Sequence, residues 1–234
     1  MKKVGFIGAC DKTNLIVYVA KLLEIVGKRV IVVDTTKLQK MKYLVPSISP
    51  TKSYVTDFAN VDFAVGFSSI NDLTDYLEIE EENLPYDYML IDIDHDKMVE
   101  SFGIENTKTN YFVTSFDMYS LQRGVEILKN FMEPMNLSKI LCDYNIDKED
   151  EDYLNYLSMD TKIGWNELSI YMPVTGYDKQ IIEENQRLYR IRMKKLSPQY
   201  LEGIIYIVQD IIQDLNINKI KKNDKRIGGI NICL

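Results

Sequence analysis

The sequence predicts an α/β fold, a mainly parallel sheet flanked by helices, on three observations. Continuous apolar runs such as Val30–Val33 and Met89–Ile91 suit parallel strands covered on both faces. Helical stretches with 3.6-residue apolar periodicity alternate with these runs, the order that builds a parallel sheet. Carboxylates, Asp34 and Asp92, close two of the runs, at the strand ends where open α/β sheets meet their ligands.

The first unit is the most informative. Lys3–Gly8 reads as a strand, Ala9–Asp11 as a short loop and about Lys12–Val26 as a helix, with Leu15, Val19, Leu22, Leu23 and Val26 on one stripe. Gly27 closes the helix, and Val30–Val33 with Asp34 at its end is the second strand. A strand running through a loop into Lys-Thr at a helix start is a phosphate-binding layout: the helix N-terminus presents N–H groups and positive dipole, and the lysine adds a full charge. The full pattern is G-x-x-x-x-G-K-[ST], with the hydroxyl on Mg²⁺. Here Gly8-Ala9-Cys10-Asp11-Lys12-Thr13-Asn14 keeps Lys12 and Thr13 but carries Asp11 where the second glycine belongs. A carboxylate there opposes a polyanion, so the loop is expected to be degenerate.

Residues 37–70 are irregular, with Pro46, Pro50 and two short candidate strands near Ser53–Thr56 and Phe63–Gly66. Ser69 opens a helix to about Glu78, and the acidic Glu78–Glu82 run reads as solvated surface. Tyr86–Asp92 is the next strong strand, its aspartate placed to hold Mg²⁺; Asp94 follows on the same side and His95 is the only histidine. Asn110–Ser115 is a strand, Ser120–Phe131 a helix ended by Pro134, and Lys139–Cys142 and Leu168–Met172 are later strands. Pro173 stops the last of these at another C-terminal edge, before the loop Val174–Tyr177. Asp178–Asn185 reads as helix, and Ser197-Pro198 caps a final helix with the stripe Leu201, Ile204, Ile205, Val208, Ile211, Ile212 and Leu215.

Composition sets the class. With 234 residues, 46% of them hydrophobic, the chain buries a full core, read as one domain over 1–216 with a basic tail over 217–234. There is no apolar run of about 18 residues that would span a bilayer, and Met1–Gly8 is too short for a signal peptide. The three cysteines, Cys10, Cys142 and Cys233, have neither metal nor disulfide spacing. A cytoplasmic protein is the expectation. The net charge of −7 argues against coating DNA. Lys219–Arg226 is the one concentrated basic stretch; its apolar neighbours are broken by Gly228-Gly229, so membrane contact at the periphery has only weak support.

Gly5–Thr13, Val30–Asp34, Tyr86–Asp92 and Tyr111–Phe131, in this order and spacing, resemble the ParA/MinD family of deviant Walker A P-loop ATPases over about Met1–Asn145. The fit is nearest the atypical TadZ/CpaE-like branch, whose members help to localise and assemble pili. The resemblance implies a P-loop NTPase fold, ATP or ADP with Mg²⁺ as cofactors, a homodimer, and protein partners in a positioning or assembly system. By motif, Gly8, Ala9, Cys10, Asp11, Lys12, Thr13 and Asn14 would form the phosphate loop and Thr13 and Asp92 the Mg²⁺ ligands. Asp34 and Asp92 match the family's acidic catalytic positions, and Pro173 its base-contacting segment. Two departures, Asp11 and the lack of the family's additional lysine early in the loop, imply weak or absent ATPase activity. The readings from the sequence are therefore a nucleotide-binding positioning factor for a cell-envelope machine such as a pilus, a nucleotide-free scaffold on the same fold, or a plasmid or chromosome partition ATPase. A receiver-like phospho-acceptor pocket built from Asp34, Asp92 and Thr114 is a further, less favoured reading.

Overall fold

A computed structural model describes residues 1–46, 52–143 and 145–213. The elements are β1 (Lys2–Ile7), α1 (Thr13–Ile25), β2 (Val30–Asp34), α2 (Met41–Leu44), β3 (Tyr54–Phe58), β4 (Val61–Val65), α3 (Ile70–Leu77), β5 (Tyr88–Ile93), α4 (Lys97–Ser101), β6 (Asn110–Thr114), α5 (Met118–Lys129), β7 (Met135–Leu141), α6 (Lys148–Leu157), β8 (Ile163–Tyr171), α7 (Gly176–Arg187) and α8 (Pro198–Ile212), with a 3₁₀ turn over Glu81–Asn83. The eight strands form one sheet in the order β3-β4-β2-β5-β1-β6-β7-β8. Every pairing is parallel except β3 with β4. That hairpin turns on Ala59 and Asn60, both at positive φ, as a two-residue turn between twisted strands requires.

The strand alternation divides the core into two layers. Val4 and Phe6 of β1, Val30 and Val32 of β2, and Tyr88 and Leu90 of β5 face α1 and α8. Ile7, Ile31, Val33, Met89, Ile91 and Ile93 face the opposite layer, with Leu121, Val125 and Leu128 of α5. The same period of two puts Asp34 and Asp92, paired across β2 and β5, on the α1 side. Because β5 lies between β1 and β2, the topology is not the 2-1-3-4-5 order of receiver folds, and that reading falls.

Sequence reasoning anticipated the strand–helix alternation but missed α2, α4 and α6 and the first halves of β7 and β8. The omission of α6 has a physical cause: only Leu154 of its ten residues is buried, so there is no apolar stripe to see. Polar contacts hold it instead. Asp147 and Asp150 form a reciprocal capping box. The buried Lys139 ammonium of β7 donates to Asn155 Oδ1 at 2.8 Å and stands 3.5 Å from Glu151 Oε2 and 5.2 Å from the centre of the Trp165 ring. Across that cluster the β7–β8 ladder is irregular: Leu137 pairs Trp165 but Lys139 pairs Ser169, so one intervening residue on β7 faces three on β8.

Helices α7 and α8 are joined through Asp178, which is fully buried. Its carboxylate accepts from the Thr175 amide and hydroxyl at 3.1 and 2.6 Å and from the Ser197 amide and hydroxyl at 2.7 and 2.9 Å. One side chain thus caps α7 and fixes the residue that caps α8. Leu215, the basic stretch Lys219–Arg226, Cys233 and the domain boundary at 216 lie outside the described residues. Among the described residues, no helix is long and apolar enough to cross a membrane.

Candidate functional site

The loop between β1 and α1 crosses the C-terminal end of the sheet, and Gly8 makes the crossing possible. Its φ is +153°, and a Cβ there would stand 2.0 Å from the Val113 carbonyl oxygen of β6. The Gly8 amide donates to the Ile93 carbonyl at 3.0 Å, which ties the loop to β5. Lys12 follows at the helix start but turns inward. Its Nζ donates to the Gly8 carbonyl at 2.7 Å and lies 2.8 Å from Asp92 Oδ1, with both side chains 2% exposed.

This ion pair sits in a cleft of about 60 Å³ lined by Ala9, Asp11, Thr13, Lys40, Asp92 and Asp94, among others. Burial pushes the Asp92 carboxyl up to about 6, opposed by Lys12 and reinforced by the neighbouring Asp34. Burial works against the Lys12 charge too, but Asp92 and the other nearby anions outweigh it and hold the ammonium above its ordinary value. Two buried carboxylate oxygens here have acceptor capacity to spare. Asp94 Oδ1 receives no hydrogen bond, and Asp92 Oδ1 has the Lys12 charge beside it but no further donor. The other Asp94 oxygen accepts from the Lys37 amide at 3.0 Å. Among the described residues no three His, Cys, Asp or Glu side chains converge to hold a metal by themselves. Two carboxylates and a hydroxyl nevertheless suit Mg²⁺, which usually keeps waters and takes its remaining ligands from phosphates. The spare acceptor capacity fits that ion.

Asp11 behaves as an internal anion. Its Oδ1 accepts from the Thr13 amide at the mouth of α1 at 3.2 Å, and its Oδ2 pairs with Lys40 Nζ at 2.8 Å. Burial disfavours its charge, and the Lys40 and Thr13 contacts more than compensate, holding the carboxyl below its ordinary value. The carboxylate therefore occupies a helix-terminal N–H that an external anion would seek.

On the other side of Asp11 opens a cavity of about 730 Å³. Cys10, Asp11, Asn14 and Leu15 line it from the loop and α1, Asp117 and Ser120 from the start of α5, and Cys142 and Asp143 from the end of β7. Met172 and Val174 close it beyond β8, with Lys179, Glu183 and Gln186 of α7 and Tyr200 of α8. Burial drives the Cys10 thiol up to about 12 and the Cys142 thiol well above its usual value, which keeps both in the neutral form.

The sequence-predicted residues thus divide. Cys10 and Asp11 line both spaces; Ala9, Lys12, Thr13 and Asp92 line the cleft, and Asn14 the larger cavity. Gly8 shapes the backbone. Pro173 is not a lining residue; Met172 and Val174 on either side of it are. Asp34 lines neither space. Its Oδ1 accepts from the Thr36 amide and hydroxyl at 3.0 and 2.6 Å, and its Oδ2 from the Met41 amide at 3.0 Å, so it organises the β2–α2 loop. Sequence reasoning missed Lys40, Asp117 and the α7 and α8 wall. Asp117 carried a signal: it stands three residues before Ser120 and accepts from that amide as the N-cap of α5.

No protein-family model and no curated protein matches the chain by sequence. Solved structures match by fold. The MinD cell division protein of Aquifex aeolicus superposes with a TM-score of 0.60 at 13% identity, over 92% of this chain and 98% of that one. A ParA family ATPase from Chlorobium tepidum TLS gives 0.57 at 14% identity over 90% and 98%. An ATP complex of a Cyanothece McdA variant gives 0.55 at 13% identity over 90% and 96%. The chain has the fold of the ParA/MinD P-loop NTPases.

Proposed function

We propose that the chain is a ParA/MinD-like nucleotide-binding protein with weak or absent ATPase activity, acting as a positioning or assembly factor for a cell-envelope machine. The observation that carries the binding part is the cleft at the end of β1. Lys12, Thr13, Asp92 and Asp94 all line it, beside a cavity large enough for a nucleoside. Thr13, Asp92 and Asp94 would hold Mg²⁺, which when bound would neutralise phosphate charge and orient the phosphates. Lys12 would add its charge from below, Gly8 would keep the loop close to the ligand, and the larger cavity would take the nucleoside. Slow turnover is supported by Asp34, whose carboxylate is held by three hydrogen bonds from the β2–α2 segment and lines neither space. The role in positioning rests on the fold alone; one solved structure of this fold is a MinC:MinD complex, in which the ATPase fold meets a protein partner.

The second reading is a nucleotide-free scaffold, and the contact of Asp11 with the Thr13 amide favours it, because the loop already holds an anion of its own. Thermal unfolding of the full chain with and without Mg²⁺-ATP and Mg²⁺-ADP separates the two, since a ligand that binds only the folded state raises the midpoint. A rise that is absent in Lys12→Ala is the expected result. No rise at saturating nucleotide overturns nucleotide binding in favour of the scaffold.

A further inference from the structure

Lys40 is a charge that the phosphate-loop motif does not include. It precedes α2, and the segment carrying it is pinned on both sides by the Asp34 carboxylate, through the amides of Thr36 and Met41. Its ammonium reaches the mouth of the cleft and meets Asp11 Oδ2 at 2.8 Å.

The charges around the cleft set its surroundings. Asp11, Asp92 and Asp94 supply three carboxylates; Lys12 and Lys40 supply two ammonium groups. Lys12 is committed to Asp92 and the Gly8 carbonyl. Without Lys40, an incoming anion would meet the bare Asp11 carboxylate at the helix terminus it has to reach. The two partners of the Lys40–Asp11 pair are each 45% exposed, and ion pairs so open to water are held weakly. Lys40 is therefore free to exchange one anion for another without disturbing the core.

We propose that Lys40 is the second cationic ligand of a polyphosphate group at this site, parked on Asp11 and passing to the phosphate when ligand enters, in place of a second lysine within the loop. This rests on the nucleotide-binding reading and assigns a residue to it. Asp11 then acts as a built-in competitor that lowers affinity, and Lys40 as the group that offsets it.

The test is Mg²⁺-ATP and inorganic triphosphate binding by titration calorimetry on the full chain and on Lys40→Ala, Asp11→Ala, the double variant and Lys12→Ala. Lys40 is surface-exposed, so the ligand-free midpoint of Lys40→Ala should match wild type, while Asp11→Ala and the double variant lose the contact with the Thr13 amide and are read against their own ligand-free midpoints. Lys40→Ala should weaken binding tenfold or more, and Asp11→Ala should tighten it several-fold. The Lys40→Ala penalty should shrink in the Asp11→Ala background, where no bare carboxylate remains. Binding that Lys12→Ala abolishes but Lys40→Ala leaves unchanged overturns the role of Lys40 and leaves the nucleotide reading standing. If neither wild type nor Asp11→Ala binds either ligand, both fall.

Discussion

Lys12 Nζ lies 2.8 Å from Asp92 Oδ1 in a fully enclosed ion pair that ties the start of α1 to the end of β5. Removing one member of such a pair leaves an uncompensated buried charge, commonly worth about 3–5 kcal/mol. Lys12→Ala should therefore lose stability of that order in urea unfolding even without ligand. Its nucleotide response has to be read as an increment over its own midpoint.

Asp92 also gives the protein a pH signature. Its carboxyl is raised from 3.8 to about 6, so the native state holds that proton more tightly than the unfolded chain. Stability from this group is full below pH 4 and declines as the pH rises towards 6. Relative to Asp92→Asn, which cannot ionise, wild type should lose ground across that window. A metal needs the ionised form. Any Mg²⁺-dependent part of a nucleotide-induced midpoint shift should accordingly be present at pH 7.5 and shrink below pH 6, which scanning fluorimetry at matched ionic strength would measure.

Asp178 behaves in the opposite sense. Burial disfavours its charge, but its contacts with Thr175 and Ser197 hold the carboxyl below 3.8. Its stabilisation is present above that value and is lost as the pH falls through the lower folded value. Hydrogen bonds to a charged group contribute about 1.5–3 kcal/mol. Asp178→Ala should cost about 3 kcal/mol at pH 7, loosen α8 in hydrogen exchange, and cost progressively less below pH 4.

Gly8→Ala tests the loop crossing. The added methyl meets the Val113 carbonyl oxygen at 2.0 Å, and backbone cannot swing aside as a side-chain end can. The variant should lose about 2 kcal/mol or more, with loss of any nucleotide response, because the Gly8 carbonyl that receives Lys12 moves with it. A midpoint equal to that of wild type would contradict this geometry.

Much of the frame was legible because strands buried on both faces announce themselves: Val30–Val33 and Met89–Ile91 have no polar residue to confuse the pattern. Lys12, Thr13 and Asp92 were legible as a group, since a motif fixes them by spacing. Asp34 was legible as a strand-end carboxylate, but its contacts were not, because they depend on where the amides of Thr36 and Met41 fall once the chain turns. Lys40 and the cavity wall from α7 and α8 were invisible because they reach the site through tertiary packing with no local pattern. The α6 helix was hidden by its acidity, although Asp147 and Asp150 carried a capping signature that could have marked its start.

The irregular β7–β8 ladder has a consequence for how copies of the protein meet. An edge strand of nine residues would template another strand and invite aggregation if it were flat. Here the straight stretches are broken between Trp165 and Ser169, where the ladder slips and exposed Glu167 adds a charge. What remains is two runs of three residues, Ile163–Trp165 and Ser169–Tyr171, each shorter than a typical strand. The cluster that seats Lys139 under Trp165 lies beside that break, so among the described residues the β8 edge offers no long straight run for another strand to pair with.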